Sequence, residues 1–248
     1  MKFTPSLAGA MSGSMGGCTA SHNKGGAYFR RRVIPTDPLS SFQSVVRDSF
    51  GALSQIWVNT LTASQRLGWE TYAQNVSWSD TLGQTIQLSG INHYVRANSP
   101  RLQNNFYQAS FGTFQATARI DAAPTIYDLG QQFVGDTPTL TVGAGPVVAM
   151  TIDNNTPGTA ATDFMYLFVS PPLNPTINFW KGPMILAGSF PGNQVQVDVE
   201  LSDAGNTPYS SRYALPVAGQ KMFAAVRYQK ADGRLAGQAW FDMIATAV

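Results

Sequence analysis

Charge is scarce in this sequence. Only 12% of its 248 residues are Asp, Glu, Lys or Arg, about half the quarter usual in globular domains. With 16 basic and 14 acidic residues the formal balance is +2, too even for a protein whose main partner is a phosphate backbone. A single cysteine excludes an internal disulfide and any zinc site built from paired thiolates. The two histidines, His22 and His93, stand far apart, and no clustered ligand set accompanies either. Long apolar runs are missing as well: nothing approaches the roughly 18 residues of a membrane span. The opening MKFTPSLAGAMSGSMGG is interrupted by Pro5, Ser6 and Gly9, so no signal peptide is expected. No cofactor and no membrane contact are expected either.

What is present is an ordinary apolar fraction of 44%, enough for one large domain or two modest ones. The polar surface must come from Ser, Thr, Asn, Gln and Gly. Like-charge repulsion protects such a surface poorly from association. Two classes fit this composition: a subunit covered by its neighbours, and a secreted or envelope domain.

Three segments separate by hydrophobic period. Residues 1–36 are glycine-rich. The run Ala27–Ile34 reads as a strand between Asn23-Lys24-Gly25-Gly26 and Pro35, and a hairpin pairing Cys18–His22 with Ala27–Val33 is expected. Residues 37–121 read as helical. Asp37-Pro38 has the chemistry of a helix start, and Phe42, Val46, Phe50, Leu53 and Trp57 then recur on one face. Thr62-Ala63-Ser64-Gln65 has capping-box spacing and opens a second helix, with Trp69, Tyr72 and Val76 on its buried side. Ser89-Gly90-Ile91-Asn92 opens a third, carrying Tyr94 and Val95 and expected to break near Pro100.

From residue 122 to 248 the period becomes two. Strands are predicted at Thr139–Val142, Val147–Ile152, Phe164–Val169, Met184–Phe190, Gln194–Leu201, Met222–Gln229 and Gln238–Ile244, with an Asp232-Gly233 hairpin turn. Short strands parted by Pro, Gly and Asn turns predict an antiparallel β-sandwich. The fold class expected for the whole chain is α+β: a glycine-rich β-hairpin arm, a small helical region and a sandwich.

Two resemblances follow from particular residues. Ala123-Pro124-Thr125, and the run Ala218–Tyr228 followed by Asp232-Gly233, resemble the opening and the last two strands of a fibronectin type III or immunoglobulin-like sandwich. Met222 or Phe223 stands where that family's corner tyrosine is expected. The first 105 residues resemble an uncharacterised family of bacterial and phage structural proteins. The carrying residues are Ser12–Gly17, Asn23–Arg32, Pro35-Thr36-Asp37-Pro38, Leu61–Arg66 with Trp69, and Asn92–Asn98. That resemblance implies a virion or surface structural role and no known chemistry.

The glycines do not compose a phosphate loop, because Gly16-Gly17 and Gly25-Gly26 precede strand-like runs and no G-K-[ST] occurs. On an extended segment Cys18 and His22 merely share a parity, and Cys18 is expected as a small buried apolar residue. On a strand Arg30 and Arg32 face one way and Arg31 the other, a weak footprint for nucleic acid. Edge-strand protection, or pairing with acidic groups inside the fold or across a subunit contact, suits the triplet better. Asp153, Asp163, Asp203 and Asp232 sit in turn contexts, and Asp153-Asn154-Asn155 lacks the alternating ligand spacing of a calcium loop. Trp57, Trp69, Tyr72 and Trp240 follow the local periods and are expected in the core. Phe179-Trp180, in a Pro/Asn-rich loop, is the exception: such a pair stacks on a sugar, anchors an interface or plugs the end of the sandwich.

The expectation is therefore a non-enzymatic structural subunit of a bacteriophage virion, a capsid-associated, decoration, tail or connector protein. It would be made in the host cytoplasm and located in the virion. It would assemble with copies of itself and with other virion proteins through Tyr28, Phe29, Arg30, Arg31 and Arg32. One alternative is a surface adhesin or carbohydrate-binding module that takes a glycan on Phe179 and Trp180. Another is a phage-encoded hydrolase, which would need a catalytic pair brought together by the fold.

Overall fold

The computed structural model of the chain describes residues 2–3, 13–24, 26–34, 36–37, 40–79, 82–110, 117–142, 148–153, 156, 159–201, 209–210 and 212–247. Expectations placed on Ser12, Gly25, Pro35, Pro38, Val147, Asn154, Asn155 and Asp203 lie outside these residues. The fold is α+β. The chain divides into two compact units, Met1–Val95 with Ala122–Tyr127, and Arg96–Asp121 with Asp128–Val248. These cuts fall at other places than the segment ends read from the sequence.

The first unit opens with β1 (Lys2–Phe3), β2 (Gly13–Met15), β3 (Cys18–Asn23) and β4 (Gly26–Arg31). They form an antiparallel sheet in the order β1-β4-β3-β2. The hairpin read from the sequence is there: Cys18 lies opposite Arg31 and Asn23 opposite Gly26. Next come α1 (Ser41–Asn59), α2 (Ala63–Asn75), the small hairpin of β5 (Ser77–Ser79) and β6 (Thr85–Gln87), and α3 (Gly90–Ser110). The second helix starts as its sequence dictates. Gln65 N–H donates to Thr62 Oγ1 at 3.2 Å, and Thr62 N–H donates to Gln65 Oε1 at 2.9 Å.

Two expectations about α1 are corrected. The helix starts at Ser41 with Ser40 as N-cap, while the Asp37 carboxylate pairs with Arg47 at 2.7 Å. Its buried face is Val45, Ser49 and Leu53, and Val46 and Phe50 are exposed. A serine can turn inward here because its hydroxyl donates to Val45 O at 2.7 Å, which removes the penalty for burying an unpaired hydroxyl. The core of this unit is aromatic. Trp69 and Tyr94 meet edge to face at 5.7 Å, Trp57 lies 5.5 Å from Tyr94, and Tyr72 meets His93 at 5.0 Å.

The second unit holds Arg96–Asp121, which includes the rest of α3, and the strands β7 (Thr139–Val142), β8 (Val148–Asp153), β9 (Phe164–Val169), β10 (Ile185–Pro191), β11 (Gln196–Glu200), β12 (Lys221–Gln229) and β13 (Ala239–Ala247). All match predicted strands within a few residues. They hydrogen-bond in the order β10-β9-β12-β13-β7-β8-β11. Every pairing is antiparallel except that of β13 with β7. β13 changes partner along its length, pairing with β12 over Ala239–Ile244 and with β7 over Ala245–Ala247. Along β12, alternation puts Met222, Ala224, Val226 and Tyr228 on one face and Lys221, Phe223, Ala225, Arg227 and Gln229 on the other. Both sets are buried apart from the half-buried Arg227, so the second face is covered too.

A polar junction covers one end of that face. Arg101 of α3 is only 4% exposed and has no carboxylate partner among the described residues. Its Nε donates to Gln229 Oε1 at 2.9 Å, and its terminal nitrogens donate to Ala118 O at 2.9 Å and Lys230 O at 3.4 Å. Tyr166 Oη donates to the same Gln229 oxygen at 2.9 Å, and Gln229 Nε2 donates to Ala97 O at 2.6 Å. The guanidinium also lies 5.2 Å from the Phe164 ring centre. Burial pulls the Arg101 pKa below the ordinary arginine value. Next to this junction Asp163 accepts from Lys230 Nζ at 2.9 Å and from the backbone N–H of Ala160 and Ala231, both at 3.0 Å.

These bonds explain why α3 does not break at Pro100. The proline removes one helix hydrogen bond, yet the residues around it are held from outside. Asn98 Nδ2 donates to Ile120 O at 2.9 Å while its Oδ1 accepts from Ile120 N–H at 2.8 Å. Asn105 makes the same two-way contact with Thr117, at 2.6 and 2.9 Å. Asn residues read as helix-weakening in isolation serve here as clamps.

Arg101→Ala is expected to cost about 3 kcal/mol in denaturant unfolding, since it empties a buried side-chain volume and removes one donor each from Gln229 Oε1, Ala118 O and Lys230 O. Alkali should act through two buried tyrosines. Burial pushes the Tyr166 and Tyr209 hydroxyls well above the ordinary tyrosine value. Both stay protonated in the fold when the unfolded chain already ionises near pH ~10. Stability is therefore full below that pH and falls above it, by about 1.4 kcal/mol per pH unit for each tyrosine. Thermal melts from neutral to strongly alkaline pH, with Tyr166→Phe losing its share of the slope, check this.

Candidate functional site

The other end of the covered face of β12 carries a cleft. Phe223 on β12 lies opposite Asp242 on β13, and Ala225 opposite Trp240, so Trp240, Asp242 and Phe223 share one side of the sheet. Facing them is the segment between β9 and β10. There Asn174 Oδ1 accepts from the N–H and hydroxyl of Thr176, at 3.0 and 2.8 Å, and Ile177 N–H closes on Asn174 O at 3.0 Å. An Asx turn of this kind is what Pro/Asn-rich sequence supplies. It sets the course of Asn178, Phe179, Trp180 and Lys181, which with Phe223 and the β13 segment Trp240–Asp242 line a cavity of about 420 Å³.

Each side chain is held in a definite way. Trp180 lies against Gly182, where an added Cβ would sit 2.2 Å from the indole Cζ2. Its Nε1 is shut off from solvent and has no hydrogen-bond partner among the described residues. Phe179 is 64% exposed, with the Lys181 ammonium 5.0 Å from its ring centre. Phe223 is buried, and Lys221 Nζ lies 5.4 Å from its ring. The same ammonium pairs with Asp242 at 2.7 Å, the lysine almost buried and the aspartate open. The Lys221 hydrogen bond holds the Asp242 carboxyl below the ordinary aspartate value, against the opposing effect of burial.

Chemically the cleft is a set of flat apolar walls with an amide, a carboxylate and an ammonium at its rim. Its one carboxylate is tied to a lysine, so no nucleophile with an adjacent base is assembled there. Among the described residues no group of three or more His, Cys, Asp or Glu could hold a metal ion. No helix among them is long and apolar enough to cross a membrane.

The sequence reading identified Phe179 and Trp180 but missed their partners. Trp240, expected in the core, is 52% exposed and faces the cleft, while Phe241 and Met243 alternate to the other side. Alternation along β13 separates these two sets but does not say which is inward. The N-terminal candidates do not line the cleft. Tyr28 and Phe29 are half-buried, and Arg30, Arg31 and Arg32 are exposed. None of the three arginines makes an ion pair among the described residues, and Arg32 N–H donates to Gly17 O at 2.8 Å. Their strand is not an edge as expected: β4 lies between β1 and β3, although β1 pairs only with Ala27 and Tyr28. Cys18 is exposed rather than buried, because it begins a strand opposite Arg31, where the small sheet carries polar and charged side chains.

Compared with known proteins, the chain matches no family model and no curated protein.

Gly182→Ala should displace the Trp180 indole, since the clash is with a rigid ring. The expected signs are a shifted tryptophan emission and a changed near-ultraviolet dichroism with the β-type far-ultraviolet spectrum kept. An unchanged near-ultraviolet spectrum would show that the ring does not rest on Gly182.

Proposed function

We propose that the chain is a non-enzymatic structural subunit of a bacteriophage virion and works by assembly. The observation that carries this reading is the uncovered apolar surface of the first unit. Val46 and Phe50, one turn apart on α1, are exposed, as are Val58 at its end, Leu67 on α2, Met15 on β2, and Val33 and Ile34 after β4. Exposed singly such residues are ordinary, but this many on one small unit point to a surface made to be covered. The scarcity of charge works in the same direction, because little repulsion opposes contact. Arg30, Arg31 and Arg32 add exposed guanidinium groups with no ion-pair partner among the described residues, suited to carboxylates or aromatic rings of a neighbour. The attribution to a phage particle rests on the N-terminal pattern, Asn23–Arg32 above all.

Within this reading the second unit is a fibronectin type III or immunoglobulin-like sandwich. In its support, β10-β9-β12-β13 and β7-β8-β11 read as four strands and three, joined where β13 changes partner to run parallel to β7. Such a module would present its loops outward from the particle while the first unit engages its neighbours.

Light scattering on the purified full chain should give a mass above that of the monomer. Removing residues 1 to 34, or introducing Val46→Lys with Phe50→Lys, should return it to monomer without a change in melting temperature. A full chain that stays monomeric at high concentration, alone and mixed with its particle's other proteins, overturns the reading.

A further inference from the structure

We propose that the aromatic cleft of the second unit is a saccharide-binding site, with Trp240 and Phe179 stacking on the apolar faces of pyranose rings and Asp242 and Asn178 hydrogen-bonding their hydroxyls. The proposal goes beyond the assembly reading and does not depend on it. Its first support is the shape of the cavity: about 420 Å³, within the roughly 300–1,000 Å³ of small-molecule sites. Two of its walls, Trp240 and Phe179, are large rings more than half exposed. The indole of Trp180 and the ring of Phe223 form further apolar lining. A pyranose ring has flat C–H faces and a hydroxylated edge, and so matches flat walls with a polar rim.

The rim supplies the second support. Asp242 Oδ2 is fixed 2.7 Å from Lys221 Nζ, and Lys221 is itself almost fully buried and packed over Phe223. The carboxylate thus has one fixed, nearly buried partner. It is therefore immobilised before any ligand arrives, while 61% of the side chain stays open. A pre-oriented acceptor loses little freedom on binding. Asn178 offers both a donor and an acceptor, and Lys181 a further donor.

Other occupants fit less well. An extended peptide adding to the side of β13 that β12 leaves open would be held by main-chain bonds, which the aromatic walls of the cleft do not offer. A cationic ligand seeking the aromatic rings would meet two ammonium groups, one of them already over Phe179. A hydroxyl-rich ring meets neither obstacle.

The test uses the full chain and a panel of disaccharides containing glucose, galactose, N-acetylglucosamine or glucuronic acid, followed by tryptophan fluorescence and saturation-transfer NMR. At least one should bind at millimolar concentrations or below and change the tryptophan emission. Trp240→Ala should weaken that binding about tenfold, and Phe179→Ala several-fold. Trp240→Phe, which keeps a flat ring, should retain most of it and guards against a folding defect in the alanine variant. Absence of binding to every member of the panel overturns the proposal. Binding undiminished by both alanine variants overturns it as well, as does displacement of a bound sugar only by peptides. The solution mass of the chain is read separately, so loss of the sugar site and loss of assembly are told apart.

Discussion

The second unit depends on one buried contact, the meeting of Arg101 with Gln229 and Tyr166. The α3 segment bearing Pro100 and three asparagines has little intrinsic helix strength of its own. It persists because Arg101 reaches the outer face of β12 and finds an acceptor whose other atoms are also engaged. The arrangement has a cost, since a guanidinium is taken from water with no carboxylate among the described residues to meet it. Neutral oxygens and the Phe164 ring offset that cost. A fully satisfied network of this kind admits one register: slipping β12 by a residue would turn Gln229 to the opposite face and leave the arginine unmet.

The same face of the sheet thus serves two ends. At the Gln229 end it is closed by helix and hydrogen bonds. At the Phe223 end it stays open, lined by rings that the strand between them cannot cover. The ion pair of Lys221 and Asp242 sits on that open side, one partner almost buried and the other open, so it orders the cleft more than it stabilises the fold. Rigidity at one end and an accessible, pre-ordered surface at the other is the division expected where a scaffold presents a binding loop. The first unit is of a different kind: its core is a cluster of aromatic rings, and several of its large apolar side chains are exposed.

Much of the fold was legible in local sequence. The strand Phe164–Val169, the capping box at Thr62 and Gln65 and the hairpin around residues 23 to 26 are set by the side-chain period, a hydroxyl and glycine, all of which act within a few residues. The misreadings share one cause. Val46 and Phe50 looked buried, Trp240 looked like core and Pro100 looked like an end, because in each case the deciding partner lies far away along the chain. The candidate site divided in the same way: Phe179 and Trp180 stood out in an odd loop, while Trp240, Asp242 and Lys221 were hidden in an ordinary strand pattern.

The sequence by itself determined the element types, the α+β class and the scarcity of charge that leaves surfaces free to associate, because these follow from composition and short-range periodicity. Only the tertiary structure decided which face of each amphipathic element turns inward, and that a buried arginine would anchor the third helix. It alone brought two exposed rings, more than fifty residues apart in the chain, onto one cavity. Those outcomes are set by which surfaces meet, and a one-dimensional pattern carries no record of the partner.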